Sequence, residues 1–354
     1  MEDFKKQIEN LLYLTAQKNG SDLHLSAGYY PTIRVDGHLI PLTDHRILER
    51  GEIEGMAQAI MDNAHRQRFE LEKEIDFAYE LGGKIRCRVN IYLAKGNYSM
   101  VFRFIPAKIA TIEELNLPSN IKIFSKLSQG FVLVVGPNGH GKSTTMAALV
   151  DLINHERAEK IITIEDPIEY IFTPDKSVID QRELYFDTLA FDKALRSTFR
   201  ENVNVIVVGE MRDYETMAAA ISAAETGHLV FASLHTNNAA QTIERIVSTF
   251  PAAQQPQITT QLANTISGVI SQRLVPRIKG GLVPATEVLI ATAAVRNLIR
   301  ENKPQQLNMI IETGASVGMI SLNRSLADLV RRKEITFNQA EFYSLNPNEL
   351  RQLI

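Results

Sequence analysis

Apolar residues in the first stretch of the chain recur at helical steps. Phe4, Ile8, Leu11, Leu12 and Ala16 line one side of a helix over residues 3–18. The pattern then changes to alternation. SDLHLS (21–26) alternates polar and apolar residues, and PTIRVDGHLIPL (31–42) reads as two short strands around an Asp36-Gly37 hairpin turn. Residues 52–73 return to the helical period. From Glu74 to Ile105 the runs EIDFAYEL, KIRCRVNIYL and YSMVFRFI predict three strands, separated by Gly82-Gly83 and Gly96-Asn97. Residues 1–106 are therefore expected to form a small α+β domain with an antiparallel sheet.

Two prolines, Pro106 and Pro118, bracket a stretch without a strong period, so residues 107–118 are expected to be a linker. Beyond it, apolar runs of strand length alternate with helical segments: FVLVV (131–135), KIITIE (160–165), VNVIVV (203–208) and HLVFASL (228–234). Strands apolar on both faces belong inside a parallel sheet covered by helices. Residues 119–354 thus read as an α/β domain. Past Pro256 its C-terminal part, about residues 256–354, is expected to be mostly helical, with one β segment near 282–290. No repeat or low-complexity tract interrupts it.

Composition narrows the classes. The 354 residues are 45% hydrophobic and 22% charged, an ordinary globular balance, and the formal net charge is −3. Neither nucleic acid nor an anionic membrane is an expected partner. The basic cluster Arg331-Arg332-Lys333 reads as a solvated helix end. Cys87 is the one cysteine, which excludes an internal disulfide and a cysteine-built zinc site and fits a reducing compartment. MEDFKKQIENLLYL lacks the apolar core of a signal peptide, and no apolar run approaches the ~18 residues that span a bilayer. A cytoplasmic protein without direct membrane insertion is expected.

The chemistry concentrates in GPNGHGKSTT (136–145). Gly136-x-x-x-x-Gly141-Lys142-Ser143 satisfies the phosphate-loop pattern, with an apolar strand before it and a helix after it. In Gly136, Pro137, Asn138, Gly139, His140, Gly141, Lys142, Ser143 and Thr144, glycines let backbone N–H groups turn inward onto phosphate oxygens. The helix N-terminus adds its positive end. Lys142 is expected at the β- and γ-phosphates and Ser143 on Mg²⁺, so ATP and Mg²⁺ are the expected ligands. Hydrolysis also needs carboxylates. VIVVGEMRD (205–213) ends an apolar run at Glu210, and TIEDPIEY (163–170) puts Glu165 and Asp166 at another strand's carboxyl end, where open α/β sheets bind ligands. TGHLVFASLHTNNA (226–239) places His235 at the same end of a further strand. His228 falls at the opposite end and reads as structural. Neither histidine has metal-ligand spacing.

Together and in this order, GPNGHGKSTT, TIEDPIEY, VGEMRD and ASLHTNNA resemble the Walker A, Asp box, Walker B and His box of the type II/IV secretion ATPases. SDLHLS, RCRVN (86–90) and VFRFIP (101–106) are similar to that family's PAS-like N-terminal domain, so the resemblance covers nearly the whole chain. It implies a RecA-like ATPase domain, a homohexameric ring, and Arg88 and Arg103 reaching the nucleotide from the N-terminal domain, with Arg86 a third candidate. It further implies Glu210 as the residue that positions the attacking water, assisted at the metal by Glu165 or Asp166.

Within the family the chain looks most like the motors of type IV pilus retraction. No additional N-terminal domain is expected, the four-cysteine insertion of pilus-assembly and type II secretion motors is missing, and AVRNLIRE (294–301) is similar to the AIRNLIRE motif of retraction motors. On its own pattern this segment puts Val295, Leu298 and Ile299 inward and Arg296, Arg300 and Glu301 outward. The resemblance implies an inner-membrane pilus platform protein and paralogous pilus ATPases as partners, at the cytoplasmic face of the membrane. Asn138, His140, the segment 200–204 (RENVN) and GMISLN (318–323) depart from the family pattern. An extension or secretion motor, an accessory retraction paralogue, a non-catalytic ring subunit and a small-molecule kinase remain alternative readings.

Overall fold

A computed structural model describes residues 2–35, 37–83, 85–105 and 108–354. The turn residue Asp36 and the boundary residue Pro106 lie outside the described residues. The chain divides into two units: Met1–Lys108 with Asp166–Ile171, and Ile109–Glu165 with Phe172–Ile354.

The first unit carries helices α1 (Glu2–Gln17), α2 (Arg50–Ile60) and α3 (Asn63–Glu72) on an antiparallel sheet. Its strands are β1 (Asp22–Ser26), β2 (Thr32–Val35), β3 (His38–Pro41), β4 (Glu74–Leu81), β5 (Ile85–Ala94) and β6 (Asn97–Ile105), in the order β3-β2-β1-β6-β5-β4. The helical stretch expected over 52–73 comprises two helices. The first ends at Ile60 with Met61 as its C-cap, and Asp62 caps the second, its carboxylate accepting from His65 N–H at 2.8 Å. Ile8, Leu12, Ile53, Met56, Val89 and Phe102 are among the side chains that close the core. Each contributes about 1.5–3 kcal/mol on burial.

The second unit is built on a sheet ordered β13-β12-β7-β11-β10-β8-β9. In chain order its elements are β7 (Gly130–Val135), α4 (Lys142–Glu156), β8 (Lys160–Glu165), β9 (Val178–Glu183), α5 (Phe191–Thr198), β10 (Val205–Val208), α6 (Tyr214–Glu225), β11 (Leu229–Leu234), α7 (Ala239–Thr249), α8 (Gln255–Thr265), β12 (Ile266–Pro276), β13 (Leu282–Ile290), α9 (Ala293–Arg300), α10 (Leu307–Thr313), α11 (Leu322–Arg331), α12 (Phe337–Tyr343) and α13 (Pro347–Leu353). Every residue of β7, β10 and β11 is buried, which is why their sequences are apolar on both faces. The pairs β12–β7, β7–β11, β11–β10, β10–β8 and β8–β9 are parallel, and β13 closes the edge antiparallel to β12.

Two features differ from the sequence reading. Beyond residue 256 the chain carries two strands where one was expected, because between α8 and β13 it forms the eleven-residue β12, whose first half lies beside β7. Gly268, Ser271, Gln272 and Arg273 break up its apolar pattern, yet the first three of these are partnered or packed at the centre of the unit. Arg296 does not point outward either. Its guanidinium folds back to donate to the Ala263 carbonyl (3.2 Å) and to the Asn264 carbonyl, tying α9 to the carboxyl end of α8. No helix among the described residues is long and apolar enough to cross a membrane.

Candidate nucleotide site

The loop of residues 136–141 leaves β7 at its carboxyl end. Gly136 has φ +147°, and a Cβ there would lie 2.3 Å from the Gln272 backbone oxygen. Gly141 (φ +80°) turns the chain into α4, and its Cβ would meet Gln272 Nε2 at 2.8 Å. Both conformations and both close approaches require glycine. Lys142 then opens α4, with Gly141 as the N-cap, so the positive end of the helix lies where the loop ends. The Lys142 ammonium is buried and donates to the carbonyls of Gly136 and Pro137, both at 2.9 Å.

The same ammonium lies 3.2 Å from His235 Nδ1. An ammonium only donates, so Nδ1 accepts and the ring proton sits on Nε2. That nitrogen is 3.4 Å from Glu210 Oε2, and the other Glu210 oxygen is paired with Arg212. Lys142, His235, Glu210 and Arg212 therefore form one line of donors and acceptors. Backbone ties hold Glu210 in place. Gly209 N–H donates to Ile164 O (2.8 Å), Ser233 Oγ donates to Gly209 O (2.5 Å), and Met211 N–H donates to Ser233 O (3.1 Å).

Register explains why residues so distant in sequence meet. Leu234 stands opposite Val135, and Val208 opposite both Ala232 and Ile164. The carboxyl ends of the neighbouring strands β7, β11, β10 and β8 thus carry the phosphate loop, His235, Glu210 and Glu165 in sheet order. Glu165 Oε1 accepts from Thr163 Oγ1 (2.6 Å) and from Gln181 Nε2 (3.3 Å) on β9, which fixes its rotamer. His228 lies at the other end of β11, with Nδ1 3.0 Å from Ala223 O and the ring edge-on to Phe199.

Asp166, Arg88 and Arg103 fall in the first unit. Arg88 on β5 stands directly opposite Arg103 on β6, an arrangement that is unfavourable for like charges unless carboxylates intervene. They do. Arg103 Nε donates to Asp22 (2.9 Å), while Arg88 Nε donates to Asp76 (3.3 Å) and Arg88 Nη1 lies 3.8 Å from Glu169. Arg86 pairs with Glu80 and donates to Ile168 O at 3.4 Å. The pairs of Arg86 and Arg88, with partly exposed carboxylates, are worth about 0–1 kcal/mol each, so they orient the guanidinium groups rather than stabilise the sheet, whereas Arg103 is held by the buried Asp22.

His140, one of the departures from the family pattern, faces β12. Leu274 N–H donates to its Nδ1 at 2.8 Å. Burial first, then the charges of Arg273 and Lys142, hold the ring pKa below its ordinary value, so the imidazole stays neutral and accepts this bond. Sequence reasoning missed Gln272, Thr145, Ser233, Gln181 and Arg212. The available signal was a glutamine and a serine standing inside apolar strands, and an arginine two residues beyond Glu210.

Among the described residues no cluster of three histidine, cysteine or acidic side chains forms a protein-only metal site. The Ser143 hydroxyl and the Glu165 and Glu210 carboxylates are hard oxygen donors at adjoining element ends. Such a partial set suits Mg²⁺, which completes its shell with phosphate oxygens and water.

A family model described as type II/IV secretion system protein matches residues 7–331. The chain is 44% identical over 337 residues to the type IV pilus retraction ATPase PilT of Pseudomonas aeruginosa, covering 94% of this chain and 96% of that one. It is also 44% identical over 305 residues to a twitching motility protein of Neisseria gonorrhoeae, covering 85% and 81%. Among solved structures, the pilus retraction motor PilT with bound ADP superposes with a TM-score of 0.89 at 42% identity, covering 98% of this chain and 99% of that chain.

Proposed function

Since the chain belongs to the type II/IV secretion system protein family, we propose that its nucleotide site drives the withdrawal of type IV pili. The chain is a P-loop ATPase of RecA-like fold, similar throughout its length to retraction motors. The observation that carries the reading is the line from Lys142 through His235 to Glu210 at three adjacent strand ends. It joins a phosphate-binding cation to a carboxylate able to orient water.

In the proposed cycle the loop's N–H groups and Lys142 bind the β- and γ-phosphates of ATP. Ser143, Glu165 and Glu210 would hold Mg²⁺, which would supply charge neutralisation at those phosphates. Glu210 orients the attacking water and accepts its proton at Oε2, where the His235 Nε2–H bond responds to the change in charge. Thr163 and Gln181 keep Glu165 aimed at the site. Arg88 and Arg103, paired with carboxylates in the first unit, are suited to exchange those partners for phosphate oxygens on a neighbouring copy within a homohexamer. The ring works at the cytoplasmic face of the membrane, against the pilus platform protein, with paralogous ATPases as further partners. Asp166 assists from the residue after Glu165.

Glu210→Gln is expected to retain ATP binding while turnover falls by roughly a hundredfold or more, measured as steady-state phosphate release beside nucleotide affinity. Normal turnover would remove Glu210 from this role. In cells whose sole copy carries Lys142→Ala, surface pili should accumulate. Bald cells would instead make the chain an extension motor, and unchanged pili an accessory subunit.

A further inference from the structure

Strand β12 approaches the site from the side that the sequence motifs do not cover. Its Ser271 stands opposite Val135, the last residue of β7, so Gln272 flanks Gly136 where the phosphate loop begins. From that position Gln272 makes two bonds of opposite sense. Its Oε1 accepts from Thr145 Oγ1 at 2.6 Å, and its Nε2 donates to the His140 carbonyl at 2.8 Å. Both Gln272 and Thr145 are buried, at 3% and 1% exposed.

We propose that Gln272 is a positioning residue for the nucleotide, holding the phosphate loop in its binding shape. The proposal rests on the ATPase reading above. The two bonded points bracket the chemistry, since His140 lies two residues before Lys142 and Thr145 two residues after Ser143. A primary amide is the group that fits. It must accept from a hydroxyl and donate to a carbonyl at once, which a carboxylate or a thioether cannot do. The glycines add a second argument. Side chains at Gly136 or Gly141 would run into Gln272 itself, at 2.3 Å from its backbone oxygen and 2.8 Å from its amide nitrogen. Leu274 N–H, two residues along on the same face, adds the bond to His140 Nδ1 at 2.8 Å.

The intervening residues of β12 serve the loop that carries the histidine. Ser271 Oγ donates to Asn237 O (2.9 Å), and Arg273 Nη2 donates to Asn237 Oδ1 (3.2 Å), two residues after His235. One strand therefore holds the phosphate loop with residues 272 and 274 and the histidine loop with 271 and 273. The 3.2 Å spacing of Lys142 and His235 follows from both attachments together.

The test uses the full chain, with Mg-ADP binding by calorimetry, steady-state ATP hydrolysis and melting temperature measured side by side. Gln272→Met and Thr145→Val are expected to weaken ADP binding and raise KM for ATP by roughly tenfold to a hundredfold, with smaller effects on kcat. Thr145→Ser, which returns the hydroxyl, should recover the affinity lost in Thr145→Val. The double variant Gln272→Met/Thr145→Val should bind no more weakly than the poorer single variant, because the one bond lost in Thr145→Val is already lost in Gln272→Met. Unchanged ADP affinity, or losses that simply add, would overturn the proposal. So would a fall in melting temperature alone. If Gln272→Met does not fold, the Thr145 pair decides by the same readouts. Wild-type protein that binds ADP but does not turn over ATP would remove the motor reading while leaving the ADP comparison intact, and wild-type protein that binds no ADP would sink both.

Discussion

Glu287 offers a quantitative check on how the histidine loop is supported. It sits on β13 across from Ser271, is buried, and accepts at Oε1 from Ala239 N–H (2.8 Å) in the first turn of α7. Burial pushes its carboxyl up from the ordinary 4.5 to about 7, against the opposing pull of that N–H bond and of the Arg273 charge. At 1.36 kcal/mol per pH unit this corresponds to about 3 kcal/mol. The folded chain holds the proton more tightly than the unfolded chain, so it carries the extra proton between pH ~4.5 and ~7. For an acid raised in this way, stability is greatest below that window, falls as pH rises through it, and stays low above it. Glu287→Gln keeps an acceptor for Ala239 N–H and removes the titration. Between pH 5 and pH 8 the stability of Glu287→Gln should therefore gain about 2–3 kcal/mol on the wild type. For a unit of this size that is roughly 5–10 °C in melting temperature. The assay is thermal unfolding of both proteins at several pH values with salt and protein concentration fixed. A constant offset between the two curves would refute the reasoning, since it would mean that Glu287 titrates alike in both states.

Cys87 in β5 is fully buried, and burial pushes its thiol up to about 12. At pH 8 it should label with iodoacetamide only slowly in the native protein and rapidly in denaturant; fast native labelling would contradict the packing of the first core. Gly268→Ala on β12 would place a Cβ 2.2 Å from ring atoms of the buried Phe124 and 2.9 Å from Leu289 O. A loss of about 1–3 kcal/mol is expected from overpacking, read by denaturant unfolding, and a neutral result would show that Phe124 can move aside.

Much of the site is written locally. The loop glycines, Lys142, and the acids at the ends of β8 and β10 follow from strand-then-turn patterns that a single stretch of sequence carries. The limits of KIITIE coincide with β8, because a strand buried on both faces has no reason to mix polar residues into its middle. What escaped reading was non-local or atypical. β9, with the sequence VIDQRE, is an edge strand with only half-shielded faces, so it lacks an apolar run. Gln272 acts on partners 127 and 132 residues away, and nothing near it in sequence announces them. The outward placement expected for Arg296 failed for a related reason: the carbonyls that hold it belong to the end of α8, a helix whose position no periodicity predicts. Arg88 and Arg103 were visible as strand residues, but that they face each other is a matter of register between two strands.

The division of labour along β12 restricts how this sequence can drift. From Gly268 on, β12 pairs with β7 residue for residue and alternates its faces, so one residue gained or lost between Gly268 and Gln272 would exchange the two sets. Gln272 would then stand among the partners of Ser271, and both nucleotide loops would lose their attachments in one event. Substitutions in that stretch act one contact at a time, whereas a change of length there acts on every contact together. The adjoining turn is under no such rule. Lys279, Gly280 and Gly281 lie exposed between β12 and β13, and a Cβ added at either glycine meets nothing within 4 Å. Length variation in this hairpin therefore has room at its tip and none between Gly268 and the site.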